Sequence, residues 1–235
     1  MRAVNAAAGF AVLTVLLVLK YVDARASEEA VDRVTKQALA LDAHPDRGGL
    51  LFSQYCAGCH GSAAQGNASR AIPALAAQRF NYLVRQLANF TGLQRDSNTM
   101  HGVLSQIELR GPQVWVDIAA FLNKEPAVNR TQRGAGQDLM LGRAIFQQQC
   151  ASCHADGHGD AGGFVPSLRN QHYSYLVEQM HKLGEGRRHN IDQDLMRFLN
   201  GIDDAQMRAT ADYLSRLHGP GTVHKVMRGD GVVVD

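Results

Sequence analysis

Cys56-Ala57-Gly58-Cys59-His60 and Cys150-Ala151-Ser152-Cys153-His154 decide how this chain folds. The two stretches use all four cysteines, and a histidine follows each pair at once. The likeness continues outward from them. Phe52 and Phe146 each stand four residues before the first cysteine, and Gly48 and Gly142 stand four before those phenylalanines. Downstream, Ile72-Pro73-Ala74-Leu75-Ala76-Ala77-Gln78 answers Val165-Pro166-Ser167-Leu168-Arg169-Asn170-Gln171. Tyr82-Leu83-Val84-Arg85-Gln86 then answers Tyr175-Leu176-Val177-Glu178-Gln179. One small unit has been duplicated and fused. Its length of roughly ninety residues suits a self-contained domain better than a solenoid repeat.

The pattern C-x-x-C-H is the attachment signature of a c-type haem. Two thiols on one helical turn add across the two vinyl groups of a porphyrin, and the next residue projects its imidazole onto the iron. Other uses of the cysteines fit less well. A redox disulfide needs neither the histidine nor a second copy. A four-cysteine zinc site would leave both histidines surplus. The expected cofactors are two covalently bound haem c groups, attached through Cys56 and Cys59 and through Cys150 and Cys153, with His60 and His154 as iron ligands.

Composition agrees. Apolar residues make up 45% and charged residues 20%, as in a folded globular chain rather than a disordered one. The balance of 24 basic against 22 acidic residues carries no surplus that would point to nucleic acid. Aromatics are only 6%, with Trp115 the one tryptophan. Porphyrin plates would supply the apolar surface such small cores lack.

The expected secondary structure is all-α, because no stretch alternates strictly enough for a strand. Short helices over Gly48 to Gln54 and Leu141 to Gln149 lead into the two motifs. Amphipathic stripes follow at Arg79 to Phe90, Gln113 to Asn123, His172 to Leu183 and Ala205 to Leu217. Pro126, Gly134 and Gly136 mark a linker.

Electron-transfer cytochromes usually complete the iron with methionine, whereas an open face suits gas or peroxide chemistry. The first unit offers only Met100, in Asn98-Thr99-Met100, 40 residues past His60. Met196 lies 42 past His154, and that match selects it. Met180 and Met207 sit within apolar stripes and read as core filling. Met140 precedes its motif. His101, His181 and His189 are rivals to the methionines.

From Asp46 to Leu217 the chain resembles class I cytochromes c, and in its duplicated form the dihaem cytochrome c4 family. The resemblance rests on G-x-x-x-F-x-x-x-C-x-x-C-H, the downstream proline, and a methionine before a helix ending in Phe121-Leu122 or Tyr213-Leu214. It implies two tandem haem-packed helical domains. It also implies that the carbonyls at Pro73 and Pro166 accept hydrogen bonds from the two imidazoles, fixing the rings. A helix-starting proline would look the same in sequence. The first unit departs from the pattern: Met100 to Phe121 is longer than Met196 to Tyr213, and Gly111-Pro112 interrupts it.

Residues 1–26 read as a signal or anchor, 27–43 as a helical stalk, 44–124 and 138–217 as the haem domains, 125–137 as the linker and 218–235 as a tail. Ala3 to Leu19 is apolar apart from Asn5 and Thr14, and Arg2 precedes it. At about 1.5 Å per residue it spans roughly 26 Å, a marginal but workable length for a bilayer. Ala24-Arg25-Ala26 offers a cleavage site before Ser27, yet Lys20 and Asp23 place charges where that region should be neutral. The expectation is an anchor in the inner membrane with the haem units on the periplasmic face. The alternative is a soluble periplasmic protein after cleavage at Ala26. The family resemblance implies an electron carrier between a quinol–cytochrome c oxidoreductase and a haem-copper terminal oxidase. A dihaem subunit accepting electrons within a dehydrogenase shares the same chemistry. A dihaem peroxidase would need an openable iron, and both units offer methionine.

Overall fold

Each unit is held shut where its first and last helices cross. The computed structural model describes residues 27–127, 131–188 and 191–217. In the first unit α2 (Pro45–Tyr55) crosses α6 (Pro112–Lys124). In the second, α7 (Leu139–Ile145) crosses α11 (Asp204–Ser215). The repeated glycines sit at these crossings. A Cβ on Gly48 would lie 2.0 Å from the Asp117 carbonyl oxygen, and one on Gly142 would lie 2.0 Å from that of Ala209. No other residue lets the backbones approach so closely. One turn further on, Phe52 packs against Phe121 with ring centroids 5.5 Å apart, and Phe146 meets Tyr213 at 5.7 Å. Phe52 is 1% exposed, so its burial stabilises the crossing by about 2–3 kcal/mol.

The short α3 (Ala57–His60) and α8 (Ala151–His154) carry the motifs. A single π-helical segment, Phe146–Cys150, joins α7 to α8. The crossings are covered by α4 (Phe80–Thr91), which packs on α6, and by α9 (Tyr173–Gly184), which packs on α11. Their apolar stripes form the cores, with Leu83 and Val84 in one and Leu176, Val177 and Met180 in the other. Met207 joins the second core as well, so both stripe methionines fill space, while Met140 is exposed.

Two helices escape the periodicity argument: α5 (Asn98–Leu104) and α10 (Gln193–Gly201). Both are short and begin with side-chain caps, from Ser97 and Asp192. The longer segment of the first unit also has a structural account. Ile107–Leu109 forms a 3-10 turn that buries Leu109 completely, and the Trp115 indole donates to the Leu109 carbonyl at 3.1 Å. Gly111, at φ +104°, then turns the chain into Pro112 at the first turn of α6.

Buried aspartates tie the incoming chain to each last helix. Asp117 accepts from the His44 N–H at 2.8 Å and pairs with Arg47. Asp212 accepts from the Gly136 N–H at 2.6 Å and from Arg216 at 2.9 Å. Residues 27–39 form α1, which does not stand free as a stalk. Val31 packs on Ala88 and Trp115, Ala38 enters the first core, and Asp32 pairs with Arg85 at 2.8 Å. Amphipathicity alone is silent about what an apolar stripe will meet.

Among the described residues no helix is long and apolar enough to cross a membrane. The expected anchor Ala3–Leu19, the cleavage site at Ala26, linker positions 128–130, His189 and the tail 218–235 lie outside the described residues.

Gly48→Ala and Gly142→Ala should each lower stability by about 2–3 kcal/mol, because backbone rather than a flexible side chain must move. Chemical denaturation of the holoprotein checks this, and Gly102→Ala, where nothing lies within 4 Å, serves as the control.

Candidate functional site

The site is built twice, on the same plan. Each motif is a single helical turn, so both cysteines and the histidine leave it within one revolution. Cys59 and Cys153 are exposed, while Cys56 and Cys150 are half-buried against the two cores, and all four thiols are free. Burial, reinforced by the neighbouring thiol, pushes Cys56 up to about 11, and the same causes do so for Cys150. Before haem is attached, both are therefore thiols rather than reactive thiolates at neutral pH.

The imidazoles are fixed by the residues that the repeat singles out. His60 Nδ1 lies 3.1 Å from the Pro73 carbonyl oxygen, and His154 Nδ1 lies 3.1 Å from that of Pro166. A carbonyl can only accept, so Nδ1 carries the proton and Nε2 keeps its lone pair. Burial lowers the proton affinity of both rings and outweighs the opposing effect of the proline carbonyls, with Asp160 adding to that opposition at His154. The result is two neutral imidazoles, the state that binds iron. An accessible thiol, a second thiol at the core surface and an oriented neutral imidazole are the donor set a covalent haem needs.

The methionines are placed differently in the two units. Met100 lies on α5, half-buried, against the same apolar cluster as Cys56, Ala57 and Leu75. Met196 lies on α10 and is half-buried, but it is not part of the second core, whereas its neighbours Leu195 and Phe198 pack there. Its Sδ faces Gly186, where an added Cβ would come within 3.6 Å. The rival histidines have other contacts. His181 bonds to Asp204 at 3.0 Å, and exposed His101 lies 3.4 Å from the Phe90 carbonyl.

The sequence reading missed a seam between the units. The Gln171 amide clasps the backbone of Ala74, accepting from its N–H and donating to its carbonyl, both at 3.0 Å. Gln78 does the same to Ser167, at 2.8 and 2.9 Å. Ala74 and Ser167 are the residues next to the two prolines, so each loop that orients an imidazole is also held by the opposite unit. Further along the seam, buried Arg95 and Arg188 pair their backbones antiparallel. Arg95 donates to Tyr175 at 2.7 Å, Gln179 at 3.0 Å and Gln86 at 2.7 Å. These partners occupy equivalent places in the two units. The signal was present in the repeat, where Gln78, Tyr82 and Gln86 return as Gln171, Tyr175 and Gln179 although they lie off the apolar stripe.

Denatured protein should keep two haems per chain. Cys59→Ala should leave the first haem on one thioether, red-shifting half of the pyridine haemochrome band, with the second haem unchanged. Haem released by acid acetone from the unaltered chain would contradict covalent attachment.

The chain is similar to known cytochromes in sequence and in fold. The family model described as cytochrome c matches residues 139–218. Cytochrome c4 of Pseudomonas aeruginosa is 30% identical over 180 residues, covering 72% of this chain and 87% of that protein. The crystal structure of reduced cytochrome c4 from Pseudomonas stutzeri superposes with a TM-score of 0.65 at 24% identity, covering 75% of this chain and all of that one. Thiosulfate dehydrogenase from Marichromatium purpuratum gives a TM-score of 0.65 at 28% identity, over 74% of this chain and 40% of that one. With two haem c motifs, two oriented imidazoles and a likeness running across both units, this chain belongs to the cytochrome c4 family.

Proposed function

We propose that this electron carrier passes single electrons along a periplasmic respiratory chain, from a quinol-oxidising complex to a haem-copper terminal oxidase. Its membership of the cytochrome c4 family carries the coarser reading, an electron carrier with two covalent haem c groups. Bound haem supplies a one-electron iron couple. The chain's own residues hold the rings, exclude water and fix the two units against each other. His60 and His154 would each hold a haem iron through Nε2, and Met100 and Met196 are the proposed second ligands. Thioether ligation raises the potential and fills the position that peroxide would need.

A second reading has one observation in its favour, the structural likeness to a thiosulfate dehydrogenase. In that case the chain would be the electron-accepting partner of a dehydrogenase.

Met100→Ala should abolish the methionine-to-iron charge-transfer band of the first haem alone and lower its potential. Met196→Ala should do the same for the second haem. Loss of the band in Met207→Leu instead would contradict the assignment, since Met207 is a core residue.

The proposed setting is the periplasmic face of the inner membrane, reached through the apolar N-terminal segment. Tethering by a short link gives an effective concentration in the millimolar range, so docking can stay weak and release fast. Intact mass of protein purified from native membranes should include residues before Ser27, and a quinol-oxidising complex or an oxidase should accompany it. A chain beginning at Ser27 in the soluble fraction would remove the anchor. Copurification with a dehydrogenase alone would favour the second reading.

A further inference from the structure

The turn that follows α4 differs from its counterpart after α9 at three successive places. Tyr82 answers Tyr175, so Gly92-Leu93-Gln94 answers Glu185-Gly186-Arg187. Both turns enter the left-handed region at the middle residue, Leu93 at φ +59° and Gly186 at φ +69°. Glycine takes that conformation freely, whereas a residue with a Cβ takes it at a cost. Leu93 is nevertheless 64% exposed, so no core packing offsets the strain. An exposed leucine alone would be ordinary. A strained one, at the place where the repeat uses glycine, points to a contact made outside the fold.

The flanking residues say where that contact lies. A Cβ on Gly92 would come within 2.6 Å of Val31 Cγ2, so its missing side chain makes room for α1. The buried Gln94 amide donates to the hydroxyl of Ser27, at the start of α1. Asp32 and Arg85 pair the same two helices further on, at 2.8 Å. In the second unit Glu185 and Arg187 pair with each other instead, at 2.5 Å. All three differences therefore suit the unit that follows the apolar segment Ala3–Leu19. Seven residues separate Leu19 from Ser27, so even a fully extended chain keeps Ser27 within roughly 27 Å of that segment.

We propose that Leu93 is a bilayer contact, seated in the lipid headgroup layer of the membrane that holds the N-terminal segment, with α1 as the brace that keeps it there. Apolar surface gains by leaving water, which offsets the strain in the turn. The inference rests on the membrane setting proposed above and not on which partner supplies electrons.

Alkylation of a single thiol in the dihaem protein tests it. Haem attachment consumes all four native cysteines, so Leu93→Cys leaves one free thiol. A charged maleimide should label it more than fivefold more slowly in the full chain, held in phosphatidylcholine nanodiscs, than in a chain beginning at Ser27 without lipid. Phe164→Cys is the control. Phe164 is 40% exposed and lines a cavity of about 330 Å³ with Thr35, Lys36 and Leu39, near the end of α1 roughly 18 Å from Ser27. Its labelling should change less than twofold. Leu93→Gly should not lower the melting temperature of the chain beginning at Ser27, since the leucine serves no core. Should Leu93→Cys not accumulate, hydrogen exchange over residues 91–97 of the unaltered chain replaces it, and nanodiscs should slow that exchange. A full chain that enters nanodiscs while Leu93→Cys slows fivefold or less, or exchange stays unchanged, overturns the contact and leaves the anchor standing. Equal slowing at Phe164→Cys, or a lower melting temperature in Leu93→Gly, overturns it as well. A full chain that stays out of nanodiscs overturns the anchor and this contact together.

Discussion

The hydrogen bond from each histidine to its proline carbonyl is the constraint on which the rest of this structure depends. It is made at 3.1 Å in both units. It selects the imidazole tautomer, orients the ring and leaves Nε2 free. It also commits the loop after the motif to one position. The next residue, Ala74 or Ser167, then presents its backbone to the glutamine of the other unit. The orientation of each imidazole and the joining of the units are therefore linked through one short loop in each copy.

The helix crossings serve the same end. Gly48 and Gly142 let the first and last helices meet at backbone contact, which leaves Phe52 and Phe146 to anchor the turn that carries the thiols. The two units also depart from symmetry. The first unit adds the Leu109 plug under Trp115, and the second enters its motif through a π-helical segment. Both modify how the chain reaches the site while keeping the histidine, proline and glutamine arrangement.

Joining two units through a polar seam has a physical consequence. A purely apolar interface would hold them together but say little about register. Paired glutamine clasps on backbone atoms and crossed arginines specify one register, because a slipped alternative leaves buried donors and acceptors unpaired. Fixed separation matters for electron transfer between two centres, which has no diffusive step to correct a poor geometry.

Much of this was legible in the sequence, because its information is covalent or periodic. The C-x-x-C-H spacing names the cofactor chemistry, and the duplicated glycines, phenylalanines and prolines announce two equal helical domains. Four-residue offsets place each glycine and phenylalanine on one helix face. The helices of Met100 and Met196 were missed, since seven and nine residues are too short a window for a periodicity reading. The packing of α1 and the cation pair at the seam were decided by the tertiary structure alone. A stripe shows that an apolar face exists, not what covers it. An arginine in a sequence reads as solvated until the fold removes its water, and only the meeting of Arg95 with Arg188 across two units does that.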